Sequence, residues 1–342
     1  MTRLRVLVAV AQHGSVTAAA RSLNYAQPSV SHHLARLEAE TGARLTQRSG
    51  RGIRLTDAGR LLAGRAEEIL GRLDAAEREL AAHVEQRQER IRLAVFASAL
   101  ATIVPAALSR LAAGHPGIDL LLSEAEPPEA MRMLRAGQVD VALVSRHTQN
   151  GTPVGPPAAA EGARTRLILD EQVHLVTRPR HRGAQAASQP GGTQPGGQPG
   201  GGQPAADEAG PPDLAAHAHS PWIAGCEHCR GHLIWLCQHA GFSPKIAFTT
   251  DDHVAAQALV AAGLGVTIMP GLAISAARHP GIHSQPLPGA WRQVLAVTYG
   301  QPPDPRAVDH LLDILTLAAA ATATGPGSRS PAGGSGAGAG VA

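Results

Sequence analysis

The sequence predicts an α/β protein headed by a winged helix-turn-helix, with one long linker helix leading into a larger body of strands and helices. Three observations predict it. Residues 1–56 read as helix, helix, turn, helix, hairpin. Residues 57–90 carry a heptad of apolar positions. After Arg90, short β-patterned runs alternate with helical ones. At 342 residues the chain has length for two or three cored domains.

In the head, Leu4, Leu7, Val8 and Ala11 mark one face of a first helix. Gly14 ends it, and Ser15 or Thr17 can cap the alanine-rich second helix, Thr17–Leu23. Asn24 and Tyr25 make the turn. Pro28 falls in the first turn of a third helix, where its missing N–H costs nothing, and Val30, Leu34 and Leu37 keep helical spacing until Gly42. Leu45–Leu55 holds two short extended runs around Ser49–Gly52, with Gly50 and Gly52 supplying permissive dihedrals.

In the long helix, Leu62, Ala66, Ile69, Leu73, Ala76 and Leu80 recur at intervals of four and three, with Arg65, Glu68, Arg72 and Glu79 outward. The stripe is too narrow for a core helix, so dimerisation through Leu62, Ile69, Leu73 and Leu80 is expected over packing within the chain.

In the body, strands are expected at Ile91–Phe96, Ile118–Glu124, Val139–Val144, Arg166–Leu169, Val173–Thr177, Pro221–Ala224, Ile246–Thr249, Val266–Ile268 and Val294–Thr298. Helices are expected at Ile103–Leu111, Pro128–Ala136, Arg230–Ala240, His253–Ala262 and Arg306–Ala319. The alternation implies a parallel sheet flanked by helices. The glycine- and proline-rich insert 183–212 and the tail 321–342 bury too little apolar surface to offset ordering entropy and are read as disordered. The division is then 1–60 (head), 61–90 (linker helix), 91–320 (body) and 321–342 (tail).

Charge is uneven. Residues 1–60 hold nine arginines against Glu38, Glu40 and Asp57, a local net charge of +6, while the whole chain carries +3. A basic module on a mildly acidic body points to a polyanion bound at one end. There is no run of 18 apolar residues, and Gln12 and His13 interrupt the N-terminal apolar stretch that a signal peptide would need. Three cysteines do not make a disulfide framework. A cytoplasmic protein without membrane contact is expected. No phosphate loop, GxSxG or Ser/His/Asp set at motif spacing supports an enzyme.

The segment AQPSVSHHLARLE (Ala26–Glu38) resembles the recognition helix of LysR-type transcriptional regulators. The resemblance runs from LRVLVAVAQHGSVTAAARSLNY before it to ETGARL and RSGRGIRLTDAGRLL after it, and more weakly to about residue 300. It implies a third helix lying in the major groove of double-stranded DNA. There Gln27 would pair with a base edge, Pro28 would pack on a thymine methyl, and Ser29, Ser31, His32 and His33 would follow on the next turns. Arg36 and the wing residues Arg48, Arg51 and Arg54 would anchor phosphate or the minor groove. Two departures stand out: Ala26 replaces a hydroxyl residue, and the family pattern LFxR reads LTQR, with Thr46 in place of phenylalanine.

The same resemblance implies a periplasmic-binding-protein-like effector domain of two α/β subdomains, I (about 91–163 and 269–300) and II (about 164–268), crossing near Gly162–Thr165 and Met269–Pro270. Its matching stretches are FASALATIVP, HPGIDL, AGQVDVALV and TTDDHVAAQALVAAGLGVTIMP. A small-molecule effector would sit in the cleft, contacting Ser98 and the N–H groups of Ala99 and Leu100, with Thr250 and Asp251 opposite. A homodimer or homotetramer and contact with RNA polymerase are implied as well; no cofactor is. Gly263 and Gly265 fit a tight turn better than a nucleotide loop.

One stretch stands apart. CEHCRGHLIWLCQH crowds Cys226, Cys229 and Cys237 with His228, His232 and His239. Two cysteines two residues apart can bind zinc or form a redox couple, and His232 could join them. The second ligand pair usual for zinc is missing. The alternatives are a head controlled by metal or thiol chemistry here, or a buried Cys237 with Cys226 and Cys229 in a loop near the cleft.

Overall fold

The computed structural model describes residues 1–49, 52–85, 89–154, 162–179, 212–300, 302–322 and 328–329. Gly50 and Arg51 at the wing tip, the 183–212 insert except Pro212, and most of the tail lie outside them.

The head is α1 (Thr2–His13), α2 (Val16–Ser22), α3 (Gln27–Thr41) and the hairpin β1 (Thr46–Ser49) with β2 (Gly52–Leu55). Gly14 ends α1 at φ 65°, and Ser15, rather than Thr17, caps α2 by accepting the Ala18 N–H at 3.0 Å. Val6, Leu7, Val10, Ala19, Val30, Leu34, Leu37 and Leu45 bury one shared core. Glu38 ties α3 to the wing, accepting from the Leu45 N–H (2.8 Å), the Thr46 N–H (2.9 Å) and the Thr46 hydroxyl (3.1 Å). Thr46 therefore replaces an apolar contact with a charge-assisted hydrogen bond.

The linker is α4 (Asp57–Glu85). Its Ala63 and Leu62 join the head's core, and Ala66 and Leu70 are also buried. Of the expected seam, Ala66 is thus packed inside the chain and Leu73 is half-buried, while Ile69 (49%) and Leu80 (65%) stand exposed. One turn of α4 touches the body with no side chain between. A Cβ on Gly71 would lie 2.6 Å from backbone atoms of Arg135, Ala136 and Gly137.

The body begins with β3 (Glu89–Val95), α5 (Ala97–Leu100), α6 (Ile103–Gly114), β4 (Ile118–Glu124), α7 (Pro127–Arg135) and β5 (Val141–Gln149) with its short partner β6 (Thr152–Val154). After β7 (Ala163–Thr177) come β8 (Pro221–Ala224), α8 (Glu227–His239), β9 (Lys245–Thr249), α9 (His253–Ala261), β10 (Thr267–Pro270) and α10 (Gly271–Ala276). β11 (His283–Tyr299), α11 (Arg306–Thr322) and the two-residue β12 (Ser328–Arg329) complete it.

The main sheet has the order β10-β7-β11-β5-β3-β4 and is mixed, which corrects the parallel expectation. Only β3–β4 and β3–β5 run parallel there; the pairs made by β7 and β11 are antiparallel. Those two strands, of 15 and 17 residues, span both halves of the body. The N-terminal part of β7 lies beside Val294–Tyr299, and its C-terminal part, Val173–Thr177, also pairs with β10. The N-terminal part of β7 places Ile168 and Leu169 in one core, and its C-terminal part places Val173 and Leu175 in another. β7 was legible only as two strands because Asp170, Glu171 and Gln172 interrupt its apolar pattern. β11 was legible only at its end because Pro286, Pro288 and Gly289 disguise its start.

Each half has its own core. Ile91, Leu93, Ile103, Leu143, Leu311 and Leu315 fill one, and Trp222, Leu233, Leu236, Cys237, Val173 and Leu175 another. The small β8–β9 sheet is parallel, and Trp222 bridges to Val266.

Candidate DNA interface and effector cleft

On α3, the spacing that buries Val30, Leu34 and Leu37 turns the opposite face outward. Gln27, Pro28, Ser29, Ser31, His32 and Arg36 are all exposed. His33 is half-buried, its ring 6.1 Å from that of Tyr25. Arg36 meets Glu40 at 3.5 Å, as does Arg3 at 2.9 Å, both exposed pairs that water and salt weaken. On the wing, Arg48 and Arg54 are exposed on opposite strands of the hairpin, with Arg48 paired to Ile53 and Arg54 to Gln47. Arg51 lies outside the described residues.

The second site is a narrow cleft in the body with a cavity volume of about 40 Å³. Ser98, Thr250 and Asp251 line it, as do Cys226 and Cys229. Ala99 and Leu100 do not, and their N–H groups are already spent on the Phe96 carbonyl at 3.2 and 3.1 Å. The cap of α9 is Asp252, which accepts from Val254 and Ala255 and leaves Asp251 facing the opening.

The centre of the cleft is a residue the sequence did not reveal. Arg292 on β11 lies directly between Glu171 on β7 and His147 on β5 in the strand register. Its Nε donates to Glu171 at 2.7 Å, its second nitrogen donates to the Ser98 hydroxyl at 2.9 Å, and its guanidinium covers the Phe96 ring at 4.9 Å. Arg292 and Glu171 are both almost wholly buried. Burial pushes the Glu171 carboxyl up, against the pull of Arg292 and of the Leu272 N–H that it also accepts. Nothing in a single strand's pattern announces this pair, because its members are 121 residues apart. Glu126, the residue before α7, completes the acidic side of the opening.

His147 stacks on His232 (3.9 Å between ring centres) and on His228 (4.9 Å), the last two on α8. Burial lowers the pKa of all three, His147 well below its ordinary value and His232 to about 4. Both ring nitrogens of His147 and of His232 lack a hydrogen-bond partner. Stacked rings at 16° send their lone pairs outward in parallel rather than toward one point. Accordingly, among the described residues no group of three His, Cys, Asp or Glu side chains is placed to hold a metal ion. Cys237 is buried in the core, where burial lifts its thiol to about 12.

No helix among the described residues is long and apolar enough to cross a membrane. The family model described as bacterial regulatory helix-turn-helix protein, lysR family, matches residues 1–60, and that of the LysR substrate binding domain matches residues 85–320. The chain is 28% identical over 275 residues to the uncharacterized HTH-type transcriptional regulator YcgK of Bacillus subtilis, covering 80% of each. It is 29% identical over 274 residues to a probable hydrogen peroxide-inducible genes activator of Mycobacterium avium, covering 79% of this chain and 78% of that one. The crystal structure of CbnR, a LysR family transcriptional regulator, superposes with a TM-score of 0.54 at 21% identity, over 93% of this chain and 98% of that one. With a helix-turn-helix head and a substrate-binding body matched over most of its length, the chain belongs to the LysR family of transcriptional regulators.

Proposed function

We propose that the exposed face of α3 reads base edges through Gln27, Pro28, Ser29, Ser31, His32 and His33, while Arg36, Arg48, Arg51 and Arg54 hold phosphate. The observation that carries this reading is the division of α3: three buried anchors fix its orientation, and Gln27, Pro28, Ser29, Ser31, His32 and Arg36 face outward, exposed. The exposed Ile69 and Leu80 of α4, with Leu73, join two copies so that two heads meet two half-sites.

The cleft receives a small polar molecule that contacts Ser98, Thr250 and Asp251 together with Arg292. Its narrowness means that a ligand larger than a few waters must part the two halves, which supplies a conformational signal. The setting for such a regulator is the cytoplasm, where bound DNA is within reach of RNA polymerase.

The test is fluorescence anisotropy with fragments of the protein's own genome, set against random DNA. Gln27→Ala should narrow the gap between specific and random DNA by roughly 1–3 kcal/mol. Arg48→Ala should weaken binding to both and lower the salt slope by about 0.9. Equal effects of the two substitutions on specificity would refute this division of roles.

A further inference from the structure

We propose that the cleft takes a small organic cation, its ammonium held between Glu126 and Asp251 and a neutral hydroxyl end turned to His147. This names the ligand class of the cleft read above as the effector site, and it rests on that reading.

Charge is the first argument. The acidic and strongly basic side chains that line the cleft are Glu126, Asp251 and Arg292. Arg292 is already neutralised, because the Glu171 carboxylate takes its Nε at 2.7 Å and a second guanidinium nitrogen at 2.5 Å. Glu126 and Asp251 have no ion pair or side-chain hydrogen bond among the described residues. An anion entering the cleft would therefore meet two uncompensated carboxylates, whereas a cation relieves their mutual repulsion.

The two carboxylates stand on turns that the strands hold in place. Ala125, just before Glu126, donates its N–H to Val95 of β3 at 3.0 Å. Thr250, just before Asp251, donates to Ala224 of β8 at 3.0 Å. β3 belongs to the main sheet and β8 to the small one, so a cation bound to both acids joins two separate parts of the body. Both acids also push on the Cys229 thiol, which places them near one stretch of the cleft wall.

His147 supplies an independent pointer to a ligand. Its ring lines the cleft, is 3% exposed, and has no hydrogen-bond partner at either nitrogen. Buried polar atoms are ordinarily paired, and leaving them unpaired is costly. Burial keeps this ring neutral, so it presents one N–H and one lone pair, and a hydroxyl satisfies either. Arg292 lies directly opposite His147 in the strand register, which disfavours a second positive charge at that end. The guanidinium also covers Phe96, so that ring offers the ammonium no open face. The charge belongs with the carboxylates and the hydroxyl with the imidazole.

Glu126 is also the residue from which α7 starts, and the far end of α7 leads to the backbone that meets Gly71 of α4. A ligand that draws Glu126 toward Asp251 thus pulls on a helix against which the linker rests. That consequence for DNA binding depends on the cleft being the control site; the binding itself does not.

The experiment follows the thermal midpoint of full-length protein at neutral pH and fixed ionic strength against graded ethanolamine, ethylamine, ethylene glycol, glycolate and magnesium chloride. Ethanolamine should bind best, roughly tenfold ahead of ethylene glycol and glycolate. Glu126→Gln and Asp251→Asn should each weaken it roughly tenfold. His147→Phe keeps a stacked ring without its nitrogens, and should erase the advantage of ethanolamine over ethylamine. An equal response to glycolate or ethylene glycol would overturn the charge preference. A response to magnesium where ethanolamine gives none would overturn the organic class. Undiminished ethanolamine binding in both carboxylate variants would overturn the placement of the ammonium. Affinity for target DNA, measured by anisotropy, should change when ethanolamine is bound. Binding without that change would remove the control role of the cleft and leave the ligand class standing. A DNA response to glycolate alone would keep the control role and overturn the class.

Discussion

Removing Arg292 alone should destabilise the body far more than removing it together with Glu171. Arg292→Met deletes two hydrogen bonds, to Glu171 and Ser98, and the cover on Phe96. It also strands a carboxylate whose side chain is 1% exposed. Breaking a buried pair from one side costs about 3–5 kcal/mol, most of it the isolated charge rather than the lost attraction. Arg292→Met with Glu171→Leu removes that charge too, a change that in buried pairs is neutral to stabilising by about 1–4 kcal/mol. Here it leaves the Leu272 N–H without its acceptor, at about 1–3 kcal/mol. The double variant should therefore lie close to wild type and well above the single one.

The pH dependence gives a second handle on the same pair. Burial already raises the folded-state pKa of Glu171 above its ordinary value, and loss of Arg292 raises it further. A carboxyl whose folded pKa is raised holds its proton longer in the native state, so stability falls as pH climbs through and beyond the unfolded value. The penalty of Arg292→Met should accordingly be smaller at pH 5 than at pH 7. Urea unfolding followed by tryptophan emission suits the measurement, because Trp222, Trp235 and Trp291 all lie in the body and none in the head. A single-variant loss below about 1 kcal/mol, or a double variant no better than the single, would refute the reasoning.

Three further outcomes are expected. Gly71→Ala should lower the thermal midpoint by forcing α4 off the backbone at Gly137, an overpacking cost of about 1–3 kcal/mol. Gly64→Ala, on the same helix with nothing within 4 Å of the new Cβ, should raise it by up to about 1 kcal/mol, and matching shifts would discredit the contact. His232, depressed to about 4 when folded, contributes stability that is present above its unfolded pKa near 6.5 and is lost as pH falls between the two. His232→Phe should recover on the order of 3 kcal/mol of that acid-induced loss, and an unchanged acid profile in urea titrations would contradict it. Leu80→Glu should shift full-length protein toward monomer in light scattering, whereas an unaltered mass at micromolar concentration would free α4 of the role given to it.

Legibility in the sequence followed the range of the interaction. The head could be read residue by residue because its determinants are local: Gly14 with Ser15 for one helix boundary, Pro28 for the next, and a three-residue apolar spacing on α3. The heptad of α4 was equally visible, but a repeat states only that a face is apolar. It does not say which neighbour takes it, and here Ala66 goes to the chain's own packing while Ile69 and Leu80 do not. In the body, Ser98 and Thr250 could be found because each sits where a strand gives way to a helix. Arg292, Glu171 and His147 could not, since each reads as a lone polar residue within a strand and only the β5–β11–β7 register sets them in one row.

The cluster CEHCRGHLIWLCQH shows the same limit from the other side. Sequence proximity places six Cys and His side chains together, yet a helix of 3.6 residues per turn distributes them over different faces. Cys237 turns into the core, and His228 and His232 stack against His147 of another strand. Only Cys226 and Cys229 remain side by side at the cleft. The helix thus separates what composition lumps together, and among the described residues no three of these side chains converge on a four-ligand metal centre.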